Sequence, residues 1–187
     1  LAVCLLVVAL PGIAAAETRT GGTITVGPDE TIDGDLETFG VTVVIEGTVT
    51  GDVEAFAGSV VIDGTVEGTV ETFAGTVEIG GTVDGDVETA GGTVTITDGA
   101  QIGGSLSAGG GTVTIDGTVA DDAEIGAERI VLGPTAEIGG DLTYDGQLER
   151  ADGATVDGAV SQTSDVAPGP TGPGFSFPSG AFTVYGV

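Results

Sequence analysis

Apolar residues in the middle of the chain come in short alternating bursts, V-x-I or V-x-V, each closed by a glycine. GDLETFGVTVVIEGTVT (34–50), GDVEAFAGSVVIDGTVE (51–67) and GTVETFAGTVEIGGTVD (68–84) are three successive copies at a period of 17. The pattern continues more loosely through 85–103, 104–120, 121–139 and 140–157, with a partial copy at 23–33 and the start of another at Gly158-Ala159-Val160. Some copies are wider at one corner: Val26 to Ile32, Ile96 to Ile102 and Leu132 to Ile138 each span six positions where Ile45 to Val49 spans four. A two-residue corner insertion accounts for this.

Aligned copies give four apolar columns, which begin at Val43, Ile45, Val49 and Leu36 and recur in each copy. A spacing of two with β-branched residues is the signature of strands with one buried face. Each copy therefore predicts about three short strands and one coil of an all-β parallel solenoid, with rungs of about 17 to 19 residues over 23–160. Coils stacked at ~4.8 Å would enclose aliphatic ladders. Gly47, Gly64, Gly81 and Gly117 recur at sharp turns, where a positive φ is expected. Phe39, Phe56 and Phe73 are expected to form a stacked aromatic ladder in the core. Arg150 takes an apolar position of the second column and is expected to cap the C-terminal end, its side chain escaping to solvent.

Composition narrows the function. The 187 residues carry 29 acids against three cations, Arg19, Arg129 and Arg150, for a net charge of −26. A chain without a basic face is no partner for nucleic acid. His, Lys, Trp and Met are absent, which removes imidazole bases, Schiff-base lysines, P-loop lysines and most zinc ligands. No enzyme, cofactor or metal site is expected. The acids form columns of their own, Asp35, Asp52, Asp86, Asp122 and Asp141 at one corner and Glu37, Glu54, Glu71 and Glu88 two residues on. Glycoside hydrolysis needs two unequal carboxyls in a cleft, whereas these are repeated equivalents, so a solvated acidic face suited to a high-salt organism is expected. DGD at 33–35 and 84–86 does not match the spacing of a calcium loop.

The ends differ from the middle. Residues 1–16, LAVCLLVVALPGIAAA, resemble the apolar region and cleavage site of a signal peptide without its basic start, and 17–22 a short linker. Cleavage there would remove Cys4, the only cysteine. Residues 161–187 form a Pro/Gly-rich tail, uncharged from Val166 onward, whose aromatic end SFPSGAFTVYGV suggests the approach to a transmembrane segment.

The tandem GDVE-x-x-x-G-x-V-x-I-x-G-x-V units look like the bactofilins, polymer-forming cytoskeletal proteins, over about residues 23–160. The resemblance implies a three-faced right-handed parallel β-helix, nucleotide-free assembly end to end, membrane attachment, and a role in cell shape or as a scaffold of haloarchaeal type. A signal peptide departs from a cytoskeletal role and shifts the expected location to the cell envelope, exported and membrane-tethered, with the cytoplasmic face of the membrane as the alternative.

An open solenoid end exposes unpaired backbone and its last apolar layer. No capping helix is evident in the sequence at either end. The expected polymer interface is thus Ile24, Val26 and Ile32 at one end and Leu148, Val156 and Val160 at the other, with further copies of the chain as partners. The alternative is a monomeric cell-surface stalk with a C-terminal membrane anchor.

Overall fold

The computed structural model describes residues 16–163, and every regular element there is a strand. In chain order these are β1 (Glu17–Val26), β2 (Thr31–Ile32), β3 (Leu36–Ile45), β4 (Thr48–Val49), β5 (Val53–Ile62), β6 (Thr65–Val66), β7 (Val70–Ile79), β8 (Thr82–Val83), β9 (Val87–Ile96), β10 (Gln101–Ile102), β11 (Leu106–Ile115), β12 (Thr118–Val119), β13 (Ala123–Leu132), β14 (Glu137–Ile138), β15 (Leu142–Arg150), β16 (Thr155–Val156) and β17 (Val160–Gln162). The long odd-numbered strands pair in sequence into a nine-stranded parallel sheet, and the short even-numbered ones into an eight-stranded sheet. The result is a parallel β-helix of eight coils and the beginning of a ninth.

Each coil holds one long and one short strand where three short ones were expected. The difference lies in a bend. Leu36 and Thr38 face inward, then Val43 and Ile45 do, so the alternation changes phase between them. The pairing register skips one residue at the same place, passing from Gly40↔Ala57 to Thr42↔Ser59. One continuous strand thus wraps a corner and supplies two faces, and the short strand supplies the third.

Rung length follows the corners. Leu36↔Val53 and Val53↔Val70 are 17 apart, whereas Val87↔Leu106 and Ala123↔Leu142 are 19 apart. The two added residues form a closed turn, marked by Ala100 N donating to Thr97 O and Ala136 N to Gly133 O. The corner insertion expected from the sequence is present.

Inside, the four apolar columns are buried from Val26 to Leu142, and a fifth runs beside them: Thr38, Ala55, Thr72, Thr89, Ala108 and Ile125. Its hydroxyls are satisfied locally, Thr72 Oγ1 bonding Thr89 Oγ1 at 2.8 Å. At ~25 cal/mol per Å² of apolar surface, these ladders supply the main stabilising term for a chain so poor in aromatics.

Two expectations are corrected here. Residues 17–22 belong to β1 and pair with β3 from Glu17↔Leu36 onward, so they are strand and not linker; their side chains are mostly polar, but the backbone finds a template in the next coil. Among the described residues, positive φ occurs at Gly34, Gly99 and Gly146, not at the corner glycines Gly47, Gly64, Gly81 and Gly117. Those four are needed for space. A Cβ on Gly64 would overlap the carbonyl oxygen of Gly47 in the coil before, and one on Gly81 that of Gly64. The expected signal peptide and most of the tail lie outside the described residues.

Candidate assembly surfaces

The Asp column is a set of staples between coils. Asp35 Oδ1 accepts the backbone N–H of Asp52 at 3.0 Å, and Asp52 Oδ1 accepts that of Thr69 at 2.7 Å. Asp86, Asp122 and Asp141 do the same to Ser105, Asp141 and Ala159, each at 2.7 Å. The residue before each clamped amide is a glycine, Gly51, Gly68, Gly104, Gly140 or Gly158, and a Cβ there would collide with the carboxylate. This explains the G-D dipeptide that opens the copies: glycine admits the previous coil's carboxylate, and aspartate passes the staple on. The Asp column, expected as a solvated face, thus also clamps backbone between coils, and the glycine before each clamped amide is its mark in the sequence.

The Glu column does face outward, and crowding shows at its centre. Burial pushes the Glu71 carboxyl above its ordinary range, with the neighbouring Glu88 and Glu54 charges adding to the shift.

Phe39, Phe56 and Phe73 are not in the core. Alternation turns Thr38 inward and therefore Phe39 outward, where it is 41% exposed beside Val41 at 67%. The rings stack on the outer surface with centroids 5.4 Å apart and planes within 4°. Thr20 stands below this ladder and Ala90 above it. It is a short surface strip over three coils.

The N-terminal end is closed. Ile24, Val26 and Ile32, expected as an open layer, are 5%, 0% and 4% exposed. Arg19 pairs with Thr38 and so occupies the fifth inward column in the first coil. Its guanidinium reaches across the coil, Nη1 donating to Thr25 O at 3.0 Å, Nε to Glu17 at 2.7 Å and Nη2 to Glu30. Val26 O accepts from Glu46 N in the second coil, so the adjacent Thr25 carbonyl points the other way, away from that coil. Hydrogen bonding to Arg19, helped by the Gly27 N–H, holds the Glu30 carboxyl below its ordinary range, and hydrogen bonds to Glu30 and then Glu17 raise the Arg19 pKa.

The C-terminal end is more open. Leu148 and Val156 are only partly covered, and Val160 in β17 is 45% exposed. Arg150 pairs with Leu132 and so stands in an inward column at its last position. Its Nε and Nη2 donate to Ala154 O at 3.2 and 2.7 Å. Arg129, the third cation, lies on the outer sheet face and pairs with Glu149 at 2.7 Å. No group of three or more metal-ligating side chains gathers among the described residues, and no helix there is long and apolar enough to cross a membrane.

A rod of stacked coils joined by a continuous parallel backbone ladder from β1 to β17 is a β-solenoid repeat protein, a class in which each coil is stabilised by its neighbours. The family model described as bactofilin, polymer-forming cytoskeletal, matches residues 60–161, more than half of the chain. The chain belongs to that family, which is a structural one. No curated protein and no solved structure matches it.

Proposed function

We infer that the protein is a non-enzymatic structural element that stacks end to end into a homopolymer or scaffold at the cell envelope, exported and tethered to the membrane through its terminal segments. The observation that carries this reading is the partly covered apolar layer of the last described coils at the C-terminal end. There β17 offers the backbone of one long strand, and Leu148, Val156 and Val160 are incompletely covered. A second copy stacked on this face would continue the ladders and bury those side chains, contributing about 1.5–3 kcal/mol for each large one fully covered. The net charge of −26 opposes contact between copies, so assembly strengthens as salt shortens the screening length.

One observation favours a monomeric stalk with a membrane anchor instead: the closed first layer of Ile24, Val26 and Ile32. Electron microscopy and sedimentation of the full chain across a KCl series up to several molar separate the two. Filaments or ladders of oligomers that grow with salt support stacking. Isolated rods at every salt and protein concentration overturn it in favour of the stalk.

A further inference from the structure

Two of the three cations in a chain of 29 acids sit in inward-facing columns, one in the first coil and one in the last full coil. Arg150 continues the column Ile45, Ile62, Ile79, Ile96, Ile115 and Leu132, each member of which is fully buried. In all seven preceding coils, the carbonyl equivalent to that of Ala154 accepts an N–H from the coil above. Glu30 O takes Thr48 N, Gly64 O takes Thr82 N, Ala100 O takes Thr118 N and Ala136 O takes Thr155 N, at 2.8 to 3.0 Å. At Ala154 this acceptor is taken by the Arg150 guanidinium, through two nitrogens. The side chain does the bonding of the next coil's backbone.

We propose that Arg150 is an end plug that competes with a second copy of the chain for the C-terminal face, so that stacking there requires the guanidinium to leave the Ala154 carbonyl. The partner is a further copy because the vacated acceptor and the partly covered aliphatic side chains Leu148 and Val156 reproduce what each internal coil presents to the next. The guanidinium suits this role. It donates in a fixed fork and is awkward to cover with apolar surface, so it disfavours a lid that does not displace it. The inference deepens the stacking reading and names what restrains it. Arg19 makes the matching arrangement at the other end, on Thr25 O, but there Glu17 and Glu30 hold it as well.

The test is sedimentation equilibrium of the full chain at fixed molar KCl, comparing wild type with Arg150→Leu, Arg150→Lys and Arg129→Leu, with circular dichroism as the check on sheet content. Leucine is the residue the column carries one coil earlier, at Leu132. The expected result is self-association at least ~10-fold tighter for Arg150→Leu, a smaller gain for Arg150→Lys, whose single nitrogen cannot fork, and no gain for Arg129→Leu. Both leucine variants add one net negative charge, so simple repulsion predicts weaker association for both, opposite in sign to the plug effect at Arg150. Association of folded Arg150→Leu no tighter than wild type overturns the proposal. If Arg150→Leu loses its sheet signal, Arg150→Lys decides, and equality with wild type overturns it. A wild type that stays monomeric while Arg150→Leu assembles supports the plug and sinks the polymer reading of the native chain. A wild type that assembles without any gain on losing Arg150 does the reverse.

Discussion

The two ends of the rod solve one problem with the same residue type and different surroundings. At the N-terminal end Arg19 is fixed by a carbonyl and two carboxylates, and the apolar layer beneath is as buried as the middle of the molecule. At the C-terminal end Arg150 has a carbonyl alone, and Val160 is nearly half exposed. The apolar layer of the first described coil is covered and that of the last is partly exposed. A repeat array gives every internal coil two neighbours, so the terminal coils are where sequence must depart from the repeat. Both arginines are such departures.

The largest expected effect comes from removing the same kind of contact at each end. Ile24→Ala takes a buried side chain from a closed layer and should cost about 2–4 kcal/mol, while Leu148→Ala, at a partly open one, should cost about 1 kcal/mol. Urea denaturation in high salt measures both. Equal costs would show that the ends are equally covered in solution. Ile24→Asp puts a charge into the same buried layer and should unravel the first coil, not merely block contact between copies.

The staples grade the comparison from the inside outward. Asp52→Ala leaves the Thr69 amide without its carboxylate between two complete coils and should cost about 1–1.5 kcal/mol. Asp141→Ala releases Ala159 at the start of the ninth coil, where only β17 depends on it, and should cost less. Amide exchange reads the difference directly, since Asp141→Ala should speed exchange at Val160 and Ser161 and leave the second to seventh coils unchanged.

Much of this was legible in the residues. The V-x-I columns gave the coil, its period and its two-residue corner insertions, because aliphatic burial at a spacing of two has few other solutions. Arg150 stood out as a charge in an aliphatic column. Three features escaped for physical reasons. The phase change at residues 40–42 turned Phe39 outward, and columns read by residue type alone, without tracking parity through the bend, placed it inside. Arg19 was missed because the column it heads is Thr, Ala and Thr, which does not look like core until Thr38 is seen to be fully buried. The Asp staples depend on backbone geometry between coils, which a side-chain pattern shows only through the glycine that makes room.

Acid should loosen the first coil and spare the C-terminal plug. The folded-state pKa of Glu30 is lowered, so its contribution to stability is present above the unfolded carboxylate pKa and lost as pH falls through the folded value. Glu71 runs the other way: its pKa is raised, so its ionised form disfavours the folded state, and that penalty is relieved as pH falls. Acidification therefore loosens the first coil while easing the middle of the rod. Exchange of the Arg19 side-chain N–H groups, followed by nuclear magnetic resonance, should accelerate as Glu30 protonates. Those of Arg150, held by a carbonyl, should show no such step. A step at both ends would mean that the plugs are not independent.

The smallest effect sharpens the comparison by its near absence. Arg129 and Glu149 form an ion pair on the outer face of the last coils, with both side chains more than half exposed, at 55% and 57%. Screening by water and salt leaves such a pair worth about 0–0.5 kcal/mol, and in molar KCl it approaches zero. Glu149→Gln should accordingly leave the urea midpoint within error of wild type, although it lies next to Arg150 in sequence and removes a negative charge from the same end. If it shifted the midpoint as far as Asp52→Ala does, charge density in general would govern the C-terminal coils. The distinction drawn between a carboxylate-held end and a carbonyl-held end would then lose its physical basis.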